Sequence, residues 1–191
     1  MKKVYTVIAM FVFVEGFAQP TLTQANNLSI GDFIQSGVMY SALATNIQQG
    51  LAGPSQSWNF TTTSFDIMDT IIGVPVPPQY AATFPTCNVA IDNGSMSQDY
   101  SFCTAGSNGF YFDGGVYIDP NFGPQAYAYS NSIANLKWPM TYNSSFVDTG
   151  YSDWKFPSSG PYDSTWQIFT MVETVSADAW GTLTLTWGTE T

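Results

Sequence analysis

Short segments in which apolar and polar side chains alternate recur along most of this chain. Residues 57–61 (SWNFT) alternate polar and aromatic positions, and residues 65–71 (FDIMDTI) continue the alternation. The most regular segment is residues 180–188 (WGTLTLTWG), in which three threonines lie on one face and Gly181, Leu183, Leu185 and Trp187 on the other. Because successive side chains of a strand point to opposite faces, each segment predicts a half-buried β-strand.

Turn-forming residues separate these segments at short intervals. The segment Asp113-Gly114-Gly115 predicts a turn between strands at residues 110–112 and 116–118. Four prolines within residues 74–85 predict a connection or a blunted sheet edge, because proline cannot donate to a strand ladder. Residues 38–47 fit a helix or a strand, and we expect extended structure there. Together these features predict an all-β fold, an antiparallel β-sandwich, with a lipocalin-like or jelly-roll barrel as alternatives.

A hairpin is predicted within residues 84–115, which hold both cysteines of the chain. A two-residue turn at Asn93-Gly94 is the stronger local signal, and it would place Cys87 opposite Tyr100. A three-residue loop, Gly94-Ser95-Met96, would instead place Cys87 opposite Cys103. The second register brings the two sulfurs close enough for a cross-strand disulfide.

The N-terminus has the three parts of a signal peptide. Lys2 and Lys3 form a positive start, an apolar run follows from residue 4 to residue 14, and small residues precede a cleavage point after Ala18. We therefore expect residues 1–18 to be a signal peptide and residues 19–191 to be a single all-β domain, extracellular or at the cell surface. An oxidising compartment favours the second hairpin register and a structural disulfide between Cys87 and Cys103.

The charge of the chain excludes two classes of partner. Residues 19–191 carry thirteen acidic residues against Lys137 and Lys155, a net charge of −11, with no arginine and no histidine. Such a chain cannot neutralise nucleic-acid phosphates, and it is equally unsuited to an anionic membrane surface. After the signal peptide no segment is long and apolar enough to predict a membrane span.

Four phrases together resemble the N-terminal β-domains of surface or secreted proteins exported by the type IX secretion system. They are GPSQSWNF at residues 53–60, FP at 84–85, LKWPMTY at 136–142 and ADAWGTLTL at 177–185. The chain departs from the family at Thr186, where proline is usual. The resemblance implies an exported surface protein in which a further strand and a C-terminal sorting domain follow residue 191.

Few catalytic or metal-binding arrangements are available to this sequence. The absence of histidine excludes Ser-His-Asp triads, Cys-His pairs and imidazole zinc sites. Carboxylate pairs suited to glycoside hydrolysis are Asp66 with Asp69 and Asp113 with Asp119, neither in a recognisable motif. Oxygen-rich turns at residues 113–115 and 119–121 suit calcium better than any other metal. We expect no cofactor, with calcium as the one candidate.

Aromatic residues in or beside loops provide candidate glycan contacts, since aromatic rings stack on sugars as well as packing in a β-core. The sequence therefore predicts a non-catalytic exported β-module for surface display, adhesion or matrix contact, with an extracellular glycan or protein as partner. A glycan-binding module is the alternative, and an Asp-based glycoside hydrolase is a third hypothesis. The candidate glycan contacts are Trp138, Tyr142, Tyr151, Trp154 and Tyr162.

Overall fold

A computed structural model describes residues 19–38, 50–61, 67–92, 98–157, 164–185 and 188–190. Most of these residues lie in β-strands, with two single-turn 3₁₀ helices at Gln24–Asn26 and Pro78–Tyr80. The predicted all-β class is confirmed. The strands are β1 (Thr21–Leu22), β2 (Phe33–Val38), β3 (Gly53–Asn59), β4 (Ile67–Val74), β5 (Val89–Asp92), β6 (Gln98–Gly106), β7 (Gly109–Asp119), β8 (Gly123–Lys137), β9 (Met140–Thr141), β10 (Ser145–Pro157), β11 (Ser164–Ser176), β12 (Ala179–Leu185) and β13 (Gly188–Glu190).

An eight-stranded antiparallel sheet dominates the fold, with strand order β11-β10-β8-β7-β6-β5-β4-β2. A three-stranded sheet has the order β13-β12-β3, and β1 pairs with β9. The strand predicted near the C-terminus is present as β12, but it pairs with β3 in parallel. Residues 186 and 187 of that predicted strand lie outside the described residues.

The large sheet changes direction between β8 and β10. Only one Cα pair, Asn131 with Tyr151, joins these two long strands. Side chains make the other links, including the ion pair between Lys137 Nζ and Asp148 Oδ1 at 2.9 Å. Asp148 Oδ2 also accepts a hydrogen bond from the Ala134 amide at 2.7 Å. The hairpin of β10 and β11 thereby packs over β7 and β8, which gives a sandwich-like arrangement of two layers.

Apolar clusters lie on both faces of the central strands. On one face Phe84 stacks on Phe102, with ring centroids 4.0 Å apart, and Val116 and Ala90 complete the buried group. The proline-rich segment that contributes Val76 and Tyr80 covers this face, so its predicted role as a connection is confirmed. The other face buries a second cluster of Val89, Cys103 and Phe110.

The predicted hairpin register and the predicted disulfide are both wrong for this structure. Val89 pairs with Cys103, two residues further along the first strand than the favoured register requires. Cys87 therefore precedes β5, and both cysteines are free thiols. The predicted turn residues 93–97 lie outside the described residues, as do residues 39–47 of the predicted extended segment.

The predicted turn at Asp113-Gly114-Gly115 is also wrong, because these residues lie inside the continuous strand β7. The register of β6 against β7 shifts there, with Phe102 opposite Gly114 and Cys103 opposite Phe112. Asp113 is thus the extra residue of a β-bulge. The bulge explains why an acid and two glycines, which the sequence pattern assigns to a turn, lie in the middle of a strand.

Candidate functional site

Two strand pairs lose their register at Asp113, and this opens a polar cleft in the sheet. The register of β7 against β8 shifts as well. Phe112 lies opposite Ile133 and Gly114 opposite Ala128, so residues 129–132 of β8 have no direct partner on β7. β-Bulges aim side chains away from the regular pleat and occur often beside active sites. Here the bulge directs the Asp113 carboxylate toward side chains from three other segments.

The Asp113 carboxylate is buried, with 7% of the residue exposed, and it is held by uncharged donors. Its Oδ2 accepts hydrogen bonds from Cys87 Sγ at 3.1 Å and from Thr104 Oγ1 at 2.7 Å. Its Oδ1 accepts a hydrogen bond from Ser132 Oγ. Burying a carboxylate is costly unless it is hydrogen-bonded, and bonds to an ionised acceptor are the strong ones. The three donors therefore fix the carboxylate in place without cancelling its charge.

A cleft of about 420 Å³ opens beside this carboxylate. The described walls of the cleft are mostly polar and uncharged. Hydroxyl groups, one amide and one aromatic ring surround the acid Asp113. Ser130 and Asn131 are themselves tied to β10, through hydrogen bonds to the carbonyls of Tyr151 and Thr149. The lining residues besides Asp113 are Thr86, Thr104, Tyr111, Ser130, Asn131 and Ser132.

Both thiols near the cleft are held in the protonated form. Burial, the hydrogen bond to Asp113 and the negative charge of that residue raise the pKa of Cys87 well above its usual value. Burial, followed by the charge of Asp113, raises the pKa of Cys103 from 9.0 to about 12. Since the thiolate is the nucleophile and the metal ligand, neither thiol has the character of a reactive cysteine at neutral pH.

The raised pKa of Cys103 predicts a loss of stability in alkaline solution. The unfolded chain ionises this thiol near pH 9.0, whereas the folded protein retains the proton up to about pH 12. The stability that the protonated Cys103 thiol contributes is therefore fully present below pH 9, and it is lost as the pH rises toward 12. Between pH 9 and 10.5 we expect the unfolding free energy of wild type to fall by roughly 2 kcal/mol more than that of Cys103→Ala. Urea melts across this range measure the difference, and parallel curves for the two proteins would contradict it.

The five aromatic residues predicted as glycan contacts do not converge. Trp138 packs against the cluster of Val89, Cys103 and Phe110, with its Nε1 buried. Tyr142 is half-buried just after β9, and Tyr162 lies outside the described residues. Tyr151 and Trp154 are separated by three positions on β10 and so lie on opposite faces of that strand. Of the described four, Trp154 lines a cavity of about 380 Å³, on the opposite face of β7 from Asp113.

Asp113 and Asp119, the pair considered for hydrolysis and the acids of the two turns considered for calcium, do not come together. Asp119 lies six residues further along β7, about 20 Å away at the usual rise per residue. Its Oδ1 instead accepts the amides of Asn121 and Phe122, at 2.8 and 3.0 Å, and so caps a turn. Within the described ranges no three His, Cys, Asp or Glu residues lie close enough to hold a metal ion. Asp66 lies outside the described residues, as does the side chain of Asp69.

Sequence reasoning missed the partners of Asp113, namely Cys87, Thr104 and Ser132. These three residues come from three separate segments, none of them the strand of Asp113, and no motif links them in the sequence. One signal was available, because an acid followed by two glycines inside an otherwise apolar strand pattern also indicates a bulge. Comparison with protein families, with curated proteins and with solved structures finds no match to this chain.

Proposed function

We propose that this chain is an exported, non-catalytic binding module that contacts extracellular glycans through the cleft at Asp113. The observation that carries the proposal is a fixed, buried carboxylate at a cleft lined by hydroxyls, an amide and the ring of Tyr111. A sugar presents vicinal hydroxyl donors and an apolar ring face. The carboxylate accepts from the hydroxyls, and an aromatic ring packs against the apolar face.

The charge of the cleft disfavours an anionic ligand. The Asp113 carboxylate has uncharged hydrogen-bond donors, and the whole chain has a net charge of −10. An anionic ligand would be repelled both locally and by the field of the protein. A polyhydroxylated neutral ligand satisfies the polar walls without bringing a charge of its own.

A binding role suits the site better than hydrolysis. Glycoside hydrolysis commonly uses two carboxyl groups separated by about 5 to 10 Å, across the bond to be cleaved. Of the cleft-lining residues that the structure describes, Asp113 is the one carboxylate, and Asp119 is far along the same strand. The site therefore offers recognition without the second group that the chemistry requires.

Export and surface location form part of the same proposal. The signal-peptide pattern of residues 1–18 supports export, and the resemblance to type IX secretion substrates supports display at the cell surface. Among the described residues no helix is both long and apolar enough to cross a membrane. A glycan site on such a module would serve adhesion or contact with an extracellular matrix.

The glycan proposal predicts that a conservative change at Asp113 abolishes binding. Asp113→Asn keeps the shape of the side chain but replaces one acceptor oxygen by a donor, so we expect at least a roughly tenfold loss of affinity. The measurement is a glycan array, followed by calorimetry with the best ligand.

Asp153→Asn is the matched control, because Asp153 is exposed on β10 and the change in net charge is the same. Tyr111→Leu tests the ring independently, with folding checked by circular dichroism. Absence of any glycan ligand, or equal affinities for Asp113→Asn and Asp153→Asn, would refute the proposal.

A further inference from the structure

A second cavity lies between the two layers, on the face of the sheet opposite Asp113. It has a volume of about 380 Å³, within the range of small-molecule pockets. Strands β7 and β8 supply one wall and β10 and β11 the other. Its aromatic lining residues are Phe112, Tyr127, Tyr129, Trp154 and Phe169.

Four rings of this cavity are inclined to their neighbours by 36° to 63° and do not form a flat platform. Tyr129 meets Phe112 at 62° and Tyr127 at 63°, with centroids 5.5 and 6.3 Å apart. Trp154 lies 5.4 Å from Tyr127, tilted by 36°. A flat sugar face needs rings that share a plane, whereas rings set at angles present several π-faces to one enclosed volume. Rings inclined in this way, lining one cavity, are compatible with an aromatic cage.

The charge of the surroundings decides what such a cage favours. Among the described residues no charged side chain lines the cavity, and the protein as a whole has a net charge of −10. The field of the protein therefore attracts cations, while the aromatic faces bind them through their negative quadrupoles. A primary ammonium group would lose strong hydration in this apolar space. A quaternary ammonium group has no hydrogen-bond donors to leave unsatisfied, and its methyl groups pack against rings.

The cavity is open enough to admit a ligand from outside. Phe169 is 41% exposed although it lines the cavity, which places it at the rim. It belongs to β11, which lies at the edge of the large sheet as described and pairs there with β10. At the inner side Ser152 is 1% exposed and donates to the carbonyl of Ala128 at 2.9 Å, so the two layers are fixed together there.

We propose that this aromatic cavity is a binding site for a quaternary ammonium group, such as the trimethylammonium of choline or of a phosphocholine headgroup. The site is separate from the Asp113 cleft, and it does not depend on the glycan-binding function. Free choline and a lipid headgroup share this chemistry, and the experiment distinguishes the two sources.

Titration of the full chain with choline and with 3,3-dimethylbutan-1-ol, its uncharged carbon isostere, tests the proposal. We expect choline to bind with a dissociation constant in or below the millimolar range, roughly tenfold tighter than the isostere. Equal affinities would show an apolar pocket without cation selectivity and would overturn the proposal. Absence of choline binding would overturn it as well.

Variants locate the binding in the cavity. Trp154→Leu keeps an apolar side chain but removes the best π-face, so we expect about a tenfold loss for choline and little change for the isostere. Tyr151→Leu is the matched control on the opposite face of β10. Phe169→Leu, at the exposed rim, provides a second test if Trp154→Leu does not fold. Unchanged choline affinity in a folded cavity variant would refute the assignment.

Flotation with vesicles separates the two sources of the ligand. Recruitment to phosphatidylcholine vesicles but not to phosphatidylethanolamine vesicles supports the site and identifies a lipid headgroup. Binding of free choline without recruitment supports the site and identifies a free ligand. Equal recruitment to both vesicles, in wild type and in Trp154→Leu, contradicts recognition of the quaternary group by this cavity.

Discussion

Replacing Phe102 by alanine is expected to lower the free energy of unfolding by about 3 to 5 kcal/mol. The side chain is fully buried, stacks on Phe84 at 4.0 Å and meets Tyr80 edge-on at 5.4 Å. These ring contacts hold the proline-rich connection against the sheet. The cavity left by alanine would weaken the packing of the connection on the sheet. Urea unfolding monitored by tryptophan fluorescence measures the change.

Phe122→Ala is the control for this substitution, because Phe122 is 40% exposed and lies in the turn between β7 and β8. Its loss should change stability by no more than about 0.5 kcal/mol. Comparable effects of the two variants would mean that Phe102 is not at the centre of a packed core.

Gly114→Ala is expected to destabilise the protein by about 3 to 5 kcal/mol, through backbone strain together with a clash that no side chain can relieve. Gly114 has φ +144°, a conformation that residues with a Cβ rarely adopt. An added Cβ would lie 2.2 Å from the carbonyl oxygen of Tyr127 and 2.9 Å from Ala128 Cα, both backbone atoms. Since Gly114 follows Asp113 in the bulge, the same variant should also lose glycan binding.

Gly106→Ala is the matched control for Gly114→Ala. Gly106 lies at the end of β6, and a Cβ added there meets no atom within 4 Å. We expect its melting curve to stay close to that of wild type. If Gly114→Ala were as stable as Gly106→Ala, the bulge would have to be free to rearrange, and the fixed position of Asp113 would be wrong.

The bulge places the two proposed sites on opposite faces of one strand. Tyr111 lies opposite Thr104 and Gly114 opposite Phe102, so these positions share the face of the Asp113 cleft. Phe112 lies opposite Cys103 on the other face and lines the aromatic cavity. A variant in one site can therefore serve as a control for the other, since neither Asp113 nor Trp154 lines the other's cavity.

The buried Asp113 also has a structural consequence. Its three hydrogen bonds join the segment before β5, strand β6 and strand β8 to the bulge of β7. A satisfied buried polar network specifies one arrangement of the strands around it, because any slip leaves a buried polar group unpaired. The same residue thus fixes the local register and supplies the acceptor of the cleft.

The sequence by itself determined the features that depend on neighbours along the chain. Alternation with a period of two fixes which residues share a face, so the strand segments at 57–59, 67–71 and 180–185 were predictable, as was the all-β class. Four prolines were enough to identify residues 74–85 as a connection, since the lost donor is a property of each residue. The acidic balance, and the partners that it excludes, needed only composition.

Tertiary structure decided the pairing and the site. Alternation assigns a face but not a partner, so neither the register of Val89 with Cys103 nor the parallel pairing of β12 with β3 was evident from either segment alone. The bulge at Asp113 exists because β6 and β8 approach β7 in registers that leave one residue over. The same pairing leaves Cys87 hydrogen-bonded to Asp113 and not to Cys103. Contacts between distant segments follow from the packing of the whole sheet and not from any local pattern.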